Sequence, residues 1–573
     1  MKISADPNYW RSLVIIVIAT IVAFPLRIWP LGQLGFNQFD EGIYGMAAGW
    51  IFNSQGIASI DPSLIPYAPP GYPILVGISF FFLGISDQAA LLVSAIAGTL
   101  TIPVVAWISK RIFGHQAAVV SAWCVCLSGP HIAFSRMALT DAPFLLVWSI
   151  GFALSLRFLE NPRFLTGLGM GLSVGLAQQF KYNGWLLGGV VIASTLVGIA
   201  CSKEERRSKR WLRLGCWGGF AAGIAWIVVY PWYRFVENHG GYDALLKHQR
   251  SYLGGWSAWW PHLLSQVNQA VVLAGPAWIS IITVLTVGLS SWLLRSNRSG
   301  SDRRWSLQVL KMVGLIGPLI AAPVTTSLLA IPGLLTKGKI SDRFLGVSWF
   351  VLLMVSPFYH PYARLWLPIE LLHWIALGGL AIQFIEKPIR VQLADLKTRG
   401  SIPAAWPLGL IAIGFVASGP GFPFASPGRF GHPGLFDPSD SLHSVADHVV
   451  KRIPPGVSGL RTLVRPALSF YLGGRIAYSP QSDLTTFETS RDLNQWGLID
   501  SAILSSNLGR PDQPGRRRSL EPILGRWELV EEIPAMTSLP TVLDLDPSNP
   551  GRPRDESLAY FWLIRPRNAR FTR

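Results

Sequence analysis

Apolar runs long enough to cross a bilayer recur from residue 12 to residue 418, and that recurrence excludes most folds before any motif is read. A bilayer core of about 30 Å needs about 20 apolar residues per helix. On that measure spans are expected near 12–31, 87–108, 116–134, 142–160, 164–180, 184–201, 212–231, 271–293, 345–358, 364–384 and 403–418. The stretch 71–84 is short and bounded by proline, which suits a juxtamembrane or re-entrant helix. Pro318, Pro323 and Pro332 interrupt the region 307–334. A hairpin there keeps Lys337, Lys339 and Arg343 on the cytoplasmic side, where basic loop residues belong. The total is then about 11–13 spans. Composition agrees: 50% hydrophobic residues, 14% charged residues, a mean hydropathy of +0.37 and 24 Trp in 573 residues do not describe one soluble globule.

The net charge of +17 has a topological explanation. Basic residues cluster between apolar segments, at Lys110-Arg111, Lys203 to Arg213, Arg295 to Arg304 and Lys387 to Arg399. Short basic loops of this kind face the cytoplasm and anionic headgroups, so membrane lipids are expected partners and nucleic acid is not. Cys124, Cys126, Cys201 and Cys216 lie in or beside apolar spans, and the one-residue gap between the first two is not that of a redox or zinc pair. The N-terminal run 12–31 is too long for a signal-peptide core and reads as a retained first helix.

Beyond Gly419 the texture changes. Residues 419–438 are dense in Gly, Pro and Phe, a linker composition that separates a membrane module, 1–418, from a soluble segment, 439–573. A helical pattern at Ser441–Ile453 precedes β-like runs at Leu460–Val464, Arg475–Tyr478, Ser501–Leu504, Trp527–Val530 and Leu558–Ile564. The expected fold class is therefore a polytopic α-helical membrane protein with a small C-terminal α/β soluble domain. Few contacts usually cross such a linker, so that domain is expected to be separable from the chemistry.

Polar residues concentrate at one set of span ends. Asp40-Glu41 lies just after the first span, in a stretch without Lys or Arg from Leu31 to Ser109, which places this loop opposite the basic side. Ser135-Arg136 to Asp141, Lys181-Tyr182-Asn183, Pro231-Trp232-Tyr233 and His360-Pro361-Tyr362-Ala363-Arg364 map to the same aqueous side. Taken singly, each suits a helix cap or a snorkelling side chain. Together, acids and cations at one membrane face fit a phosphorylated lipid donor and a hydroxyl acceptor.

Asp40-Glu41, YAPPGYP, SRMALTDAPF, GLAQQFKYNG, YPWY and HPYARLWLP follow in an order that resembles the C-type (GT-C) membrane glycosyltransferases. The branch they look like is that of protein O-mannosyltransferases and the lipid A aminoarabinose transferase. The resemblance covers residues 1 to about 420 and implies a polyprenyl- or dolichyl-phosphate sugar donor. It also implies an active site at the outer membrane face, inverting transfer, and an accessory outer C-terminal domain. Related enzymes often carry Lys or His before the Pro-Pro pair, where this chain has Ala68, so Tyr67 is the polar side chain left there. That departure leaves the metal open: His239, His248 and Glu41 are the candidate ligands for a divalent ion, and no cofactor is assigned with certainty.

Chemistry assigns the expected roles. Displacement at an anomeric carbon needs a base for the acceptor proton and positive charge for the departing phosphate. Asp40 is the expected base, Glu41 orients its loop or ligates a metal, and Asp141 positions sugar or acceptor unless it only caps a helix. Lys181 and Arg364 are expected to hold the lipid phosphate, with Arg136 a third cation. Tyr44, Tyr67, Tyr233 and His360 are further candidates for substrate contact. The alternatives are a flippase or transporter of lipid-linked sugars, and an inactive assembly subunit built on the same scaffold. The expected location is a bacterial inner membrane.

Overall fold

A computed structural model of the chain describes residues 7–29, 35–36, 39–52, 69–201, 207–250, 252–274, 334, 338–381, 441–481, 483–489, 494–501, 503–504, 520–536 and 558–567. Tyr67, Ala68, the expected hairpin at 307–333, the span at 403–418, most of that at 271–293 and the linker at 419–438 lie outside the described residues.

The described residues of the membrane part are mainly helical. Helices α1 (Pro7–Ile28), α4 (Asp87–Phe113), α7 (Asp141–Glu160), α8 (Phe164–Phe180) and α9 (Leu186–Cys201) follow the apolar runs. So do α10 (Arg207–Asn238), α13 (Ile340–Val355) and α14 (Leu367–Ala381). Among the described residues five helices are long and apolar enough to cross a membrane, and Gly71–Leu83 (α3), His115–Cys126 and Leu186–Ala200 are shorter apolar helices. Helix α4 stands at the centre, packed by α1, α5 (His115–Leu127), α7 and α14.

Two expectations are corrected. The run 116–134 is not one span: α5 (His115–Leu127) stops at Ser128, and α6 (Gly129–Ser135) restarts with Pro130 in its first turn. The buried guanidinium of Arg27 on α1 replaces the hydrogen bonds lost at this break. It donates to the carbonyls of Val125 at 3.0 Å and Cys126 at 3.2 Å, and to Nδ1 of His131 at 2.8 Å. The second correction is Asp40-Glu41, which lies in the first turn of a helix, α2 (Phe39–Ile51), rather than in a loop. Gly42, Gly45 and Gly49 weaken intrinsic helicity there, so α2 depends on packing against both neighbours.

The C-terminal domain is a five-stranded mixed sheet in the order β2-β1-β3-β5-β4. Strands β1 (Gly459–Leu463), β2 (Tyr478–Pro480) and β3 (Gln495–Asp500) are parallel neighbours, while β5 (Leu558–Pro566) runs antiparallel to β3 and to β4 (Trp527–Met536). Helix α15 (Ser441–Arg452) starts the domain as its heptad-like apolar face suggests. The strand expected at Ser501–Leu504 falls instead on Gln495–Asp500. Its carboxylate, Asp500, is buried and paired with Arg465 at 2.7 Å, so a charged residue ends a strand that is otherwise read from apolar content.

The C-terminal domain packs on the membrane part, where few contacts are expected across the linker. Helix α16 (Pro466–Leu472) lies directly on α2. A Cβ on Gly42 would overlap the Pro466–Ala467 peptide, and one on Gly45 would stand 3.0 Å from the rings of Phe36 and Phe470. The two helices meet backbone to backbone because these positions carry no side chain.

Candidate active site

The segment Arg136 to Asp141 organises the polar end of the bundle, because nearly every residue in it is tied to a different element. Arg136 is buried and donates through Nη1 to the last carbonyls of α1, those of Leu26 and Trp29. Ala138 N–H donates to Glu41 Oε1 at 2.8 Å, and Ser94 of α4 donates to the Leu139 carbonyl at 3.1 Å. Thr140 Oγ1 donates to the Phe180 carbonyl at 2.8 Å, which draws the start of α7 against the end of α8. Asp141 and Lys181 therefore meet, and Lys181 Nζ donates to Asp141 Oδ1.

A second ion pair stands beside this one. Arg364, in a helical turn just before α14, donates from Nη1 to Asp40 Oδ2 at 2.7 Å. Lys181 feels Arg364 and Asp40 as well as Asp141, and Arg364 feels Asp141 as well as Asp40, so the four charges form one cluster. Burial acts against the charge on Arg364, but Asp40 and then Asp141 outweigh it and hold the guanidinium above its ordinary value. For Lys181 burial is the larger effect, and the ammonium is held below its ordinary value although Asp141 opposes the shift. The second oxygen of Asp141, Oδ2, is buried without a hydrogen-bond partner among the described residues. A buried acceptor left open costs about 1–3 kcal/mol unless something else satisfies it.

Tyrosines surround the cluster. Tyr44 is buried on α2 with its ring edge-on to that of Tyr72, 5.3 Å between centroids, and Tyr72 receives a hydrogen bond from Ser94 at 3.1 Å. The Arg364 guanidinium lies over the ring of Tyr362, 5.2 Å from its centroid. His360 meets that ring edge-on, 4.5 Å between centroids, and lies 6.4 Å from His262. Burial first, and His262 second, push His360 below its ordinary value, so it is neutral at neutral pH. Tyr233 stacks on Tyr242 at 5.0 Å.

Asp40, Asp141, Lys181 and Arg364 are thus brought together, with Tyr44 against them and His360 one ring away from Arg364. Glu41 is buried and accepts from the Ala138 N–H. Arg136 serves the end of α1. Of the candidate metal ligands, His239 bonds the Phe235 carbonyl at 2.9 Å and the His248 side chain lies outside the described residues; among the described residues no group of three His, Cys, Asp or Glu is placed to hold a metal ion. Thr140, Tyr72 and Tyr362 lie within the sequence motifs but carry no assigned role there, and Ser94 has no sequence signal, since a short hydroxyl inside an apolar run has no periodic signature.

Helix α7 links this cluster to the opposite end of the bundle. Its 20 residues span about 30 Å, the thickness of a bilayer core. At its far end Glu160 accepts from Arg111 at 2.6 Å and the Leu159 carbonyl accepts from Arg210 at 2.8 Å. The acid–cation cluster and the basic residues Arg111 and Arg210 occupy opposite ends of one membrane-length helix.

Comparison with solved structures decides the fold. The ArnT structure from Cupriavidus metallidurans, bound to undecaprenyl phosphate, matches with a TM-score of 0.56 at 14% identity, over 97% of this chain and 98% of that one. The chain has the C-type membrane glycosyltransferase fold. The oligosaccharyltransferase of Archaeoglobus fulgidus in its apo form shares it, with a TM-score of 0.52 at 13% identity over 89% of this chain and 72% of that one. Residues 67–233 of the C-type module match the family model described as dolichyl-phosphate-mannose-protein mannosyltransferase. That interval runs from Tyr67 to Tyr233 and holds four of the sequence motifs, including SRMALTDAPF with Asp141 and GLAQQFKYNG with Lys181. No curated protein sequence matches the chain.

Proposed function

We propose that this chain transfers a sugar from a polyprenyl-phosphate donor to a hydroxyl acceptor, with inversion, at the extracytoplasmic face of a bacterial inner membrane. The observation that carries the reading is the paired cluster Asp40–Arg364 and Asp141–Lys181 at one end of a C-type bundle. The basic loops at the other end of α7 support the outward orientation, because Lys and Arg favour the cytoplasmic side. The undecaprenyl phosphate bound to ArnT is a lipid phosphate of the proposed kind.

The cluster supplies each part of a single displacement. Lys181 as a point charge and Arg364 as a fork receive the lipid phosphate. The phosphate competes with Asp40 for Arg364, and its arrival frees the carboxylate. Asp40 then takes the acceptor proton as the acceptor oxygen bonds the anomeric carbon, and the bond from that carbon to the phosphate oxygen breaks. The lipid phosphate leaves with the electron pair, neutralised by the two cations. The open Oδ2 of Asp141 accepts a hydroxyl of sugar or acceptor, which satisfies a buried oxygen only when substrate is present. Metal dependence is read separately, as turnover after chelation.

Mass spectrometry of envelope glycans and lipids tests the proposal, in cells lacking the chain and in cells complemented with the wild type or Asp40→Asn. A product that is absent without the chain, restored by wild type and not restored by Asp40→Asn supports transfer. Unchanged envelope sugars in all strains would sink it.

A further inference from the structure

The C-terminal domain holds the helix that carries the proposed base. Gly42, Gly45 and Met46 share one face of α2, at spacings of three and four residues. All three meet the soluble domain: Gly42 the Pro466–Ala467 peptide, Gly45 the ring of Phe470, and Met46 the hydroxyl of Tyr478 at 3.9 Å from its sulfur. Toward the membrane bundle, Glu41 accepts from Ala138 and Tyr44 packs on Tyr72. Asp40, in the same turn as Gly42, reaches Arg364 from between these two surfaces.

Two aromatic residues of α16 lock the arrangement. Phe470 packs on Phe36 at 4.7 Å, just ahead of α2, and on Phe80 of α3 at 6.3 Å. Tyr471 accepts from Phe36 N–H at 2.6 Å and donates to Asp87 Oδ2 at 2.7 Å, joining the entry to α2, the start of α4 and the soluble domain at one hydroxyl.

We propose that α16 is a positioning element for the transfer reaction, with Phe470 and Tyr471 acting through α2 to set where Asp40 stands. The inference rests on Asp40 being the base. The soluble domain is then part of the catalytic apparatus although none of its residues touches the reacting atoms. Displacing a base by about 1 Å costs on the order of 10²-fold in rate, and α2 has little helix propensity of its own to resist such a shift.

The test compares Gly42→Ala, Phe470→Ala, Phe470→Leu and Asp40→Asn in the full-length protein in lipid nanodiscs. Undecaprenyl phosphate binding is measured directly, and transfer is followed from polyprenyl-phosphate sugars extracted from the producing cells. Hydrogen exchange over residues 39–51 reports on α2. Phe470→Ala is expected to lower turnover at least tenfold, with undecaprenyl phosphate affinity within threefold of wild type and faster exchange in α2. Phe470→Leu, which keeps the apolar bulk, is expected to recover most of the turnover. Gly42→Ala is expected to act in the same direction, and Phe470→Ala decides if Gly42→Ala fails to insert. Wild-type turnover in Phe470→Ala alongside a dead Asp40→Asn would overturn the positioning role and leave the base in place. An active Asp40→Asn would instead remove the base, and with it the premise.

Discussion

Arg364 donates to Asp40 across 324 positions of sequence, at 2.7 Å. The pair is partly exposed, with 22% and 31% of the two side chains accessible, so a ligand can reach both partners. Under the proposed transfer, the cation that holds this carboxylate is also the one that receives the donor phosphate, so donor binding and release of the base are expected to be one event.

Asp40→Asn should fold and bind undecaprenyl phosphate while turnover falls by on the order of 10²–10⁴, as for a lost general base. Steady-state transfer rates alongside lipid binding check this. Wild-type turnover would take Asp40 out of the chemistry.

Arg364→Ala and Lys181→Ala should each weaken lipid-phosphate binding. Arg364→Lys should recover little, because an ammonium cannot reproduce the guanidinium fork. Binding titrations with undecaprenyl phosphate give the answer, and equal affinity in all three variants would show that these cations serve the fold alone.

Burial, opposed by Asp141, holds Lys181 below the ordinary lysine value of 10.5. A lowered value means the proton, and with it the attraction for phosphate, is lost as pH rises through a point below 10.5. Lipid-phosphate affinity should therefore decline in alkaline solution earlier than for an unperturbed lysine. Lys181→Arg should remove this decline, since a guanidinium keeps its charge. Binding curves from pH 7 upward that are parallel for wild type and Lys181→Arg would contradict the assignment.

Arg27→Met should destabilise the membrane part without touching the site. The substitution strips the Arg27 donor from the Cys126 carbonyl at the α5–α6 break, at about 1–3 kcal/mol for a buried acceptor left unsatisfied, while the Val125 carbonyl keeps the Ser128 N–H. Thermal unfolding in detergent measures it, and a midpoint equal to wild type would show that the break is satisfied in another way.

Much of the architecture is legible in sequence because lipid imposes a simple rule. A segment without water must satisfy its own backbone, so apolar length alone places α4, α7, α8 and α10. The same rule fails at α2. A 13-residue helix with three glycines has neither the length of a span nor the propensity of a surface helix, and it forms because α16 and the bundle enclose it. The break at Ser128 is not legible in sequence for a related reason: the compensating donor, Arg27, lies 99 residues from Cys126.

By itself the sequence determined the class, the two-part composition, and the gathering of Asp40, Asp141, Lys181 and Arg364 at one set of span ends, since hydropathy and charge asymmetry are local properties. Only the tertiary structure decided which acid pairs with which cation, that Glu41 is spent on a backbone N–H, and that the soluble domain grips the helix of Asp40. Those outcomes depend on distances between residues far apart in the chain. Such distances follow from packing in three dimensions, where a missing Cβ at Gly42 lets two backbones touch and no periodicity in one dimension records it.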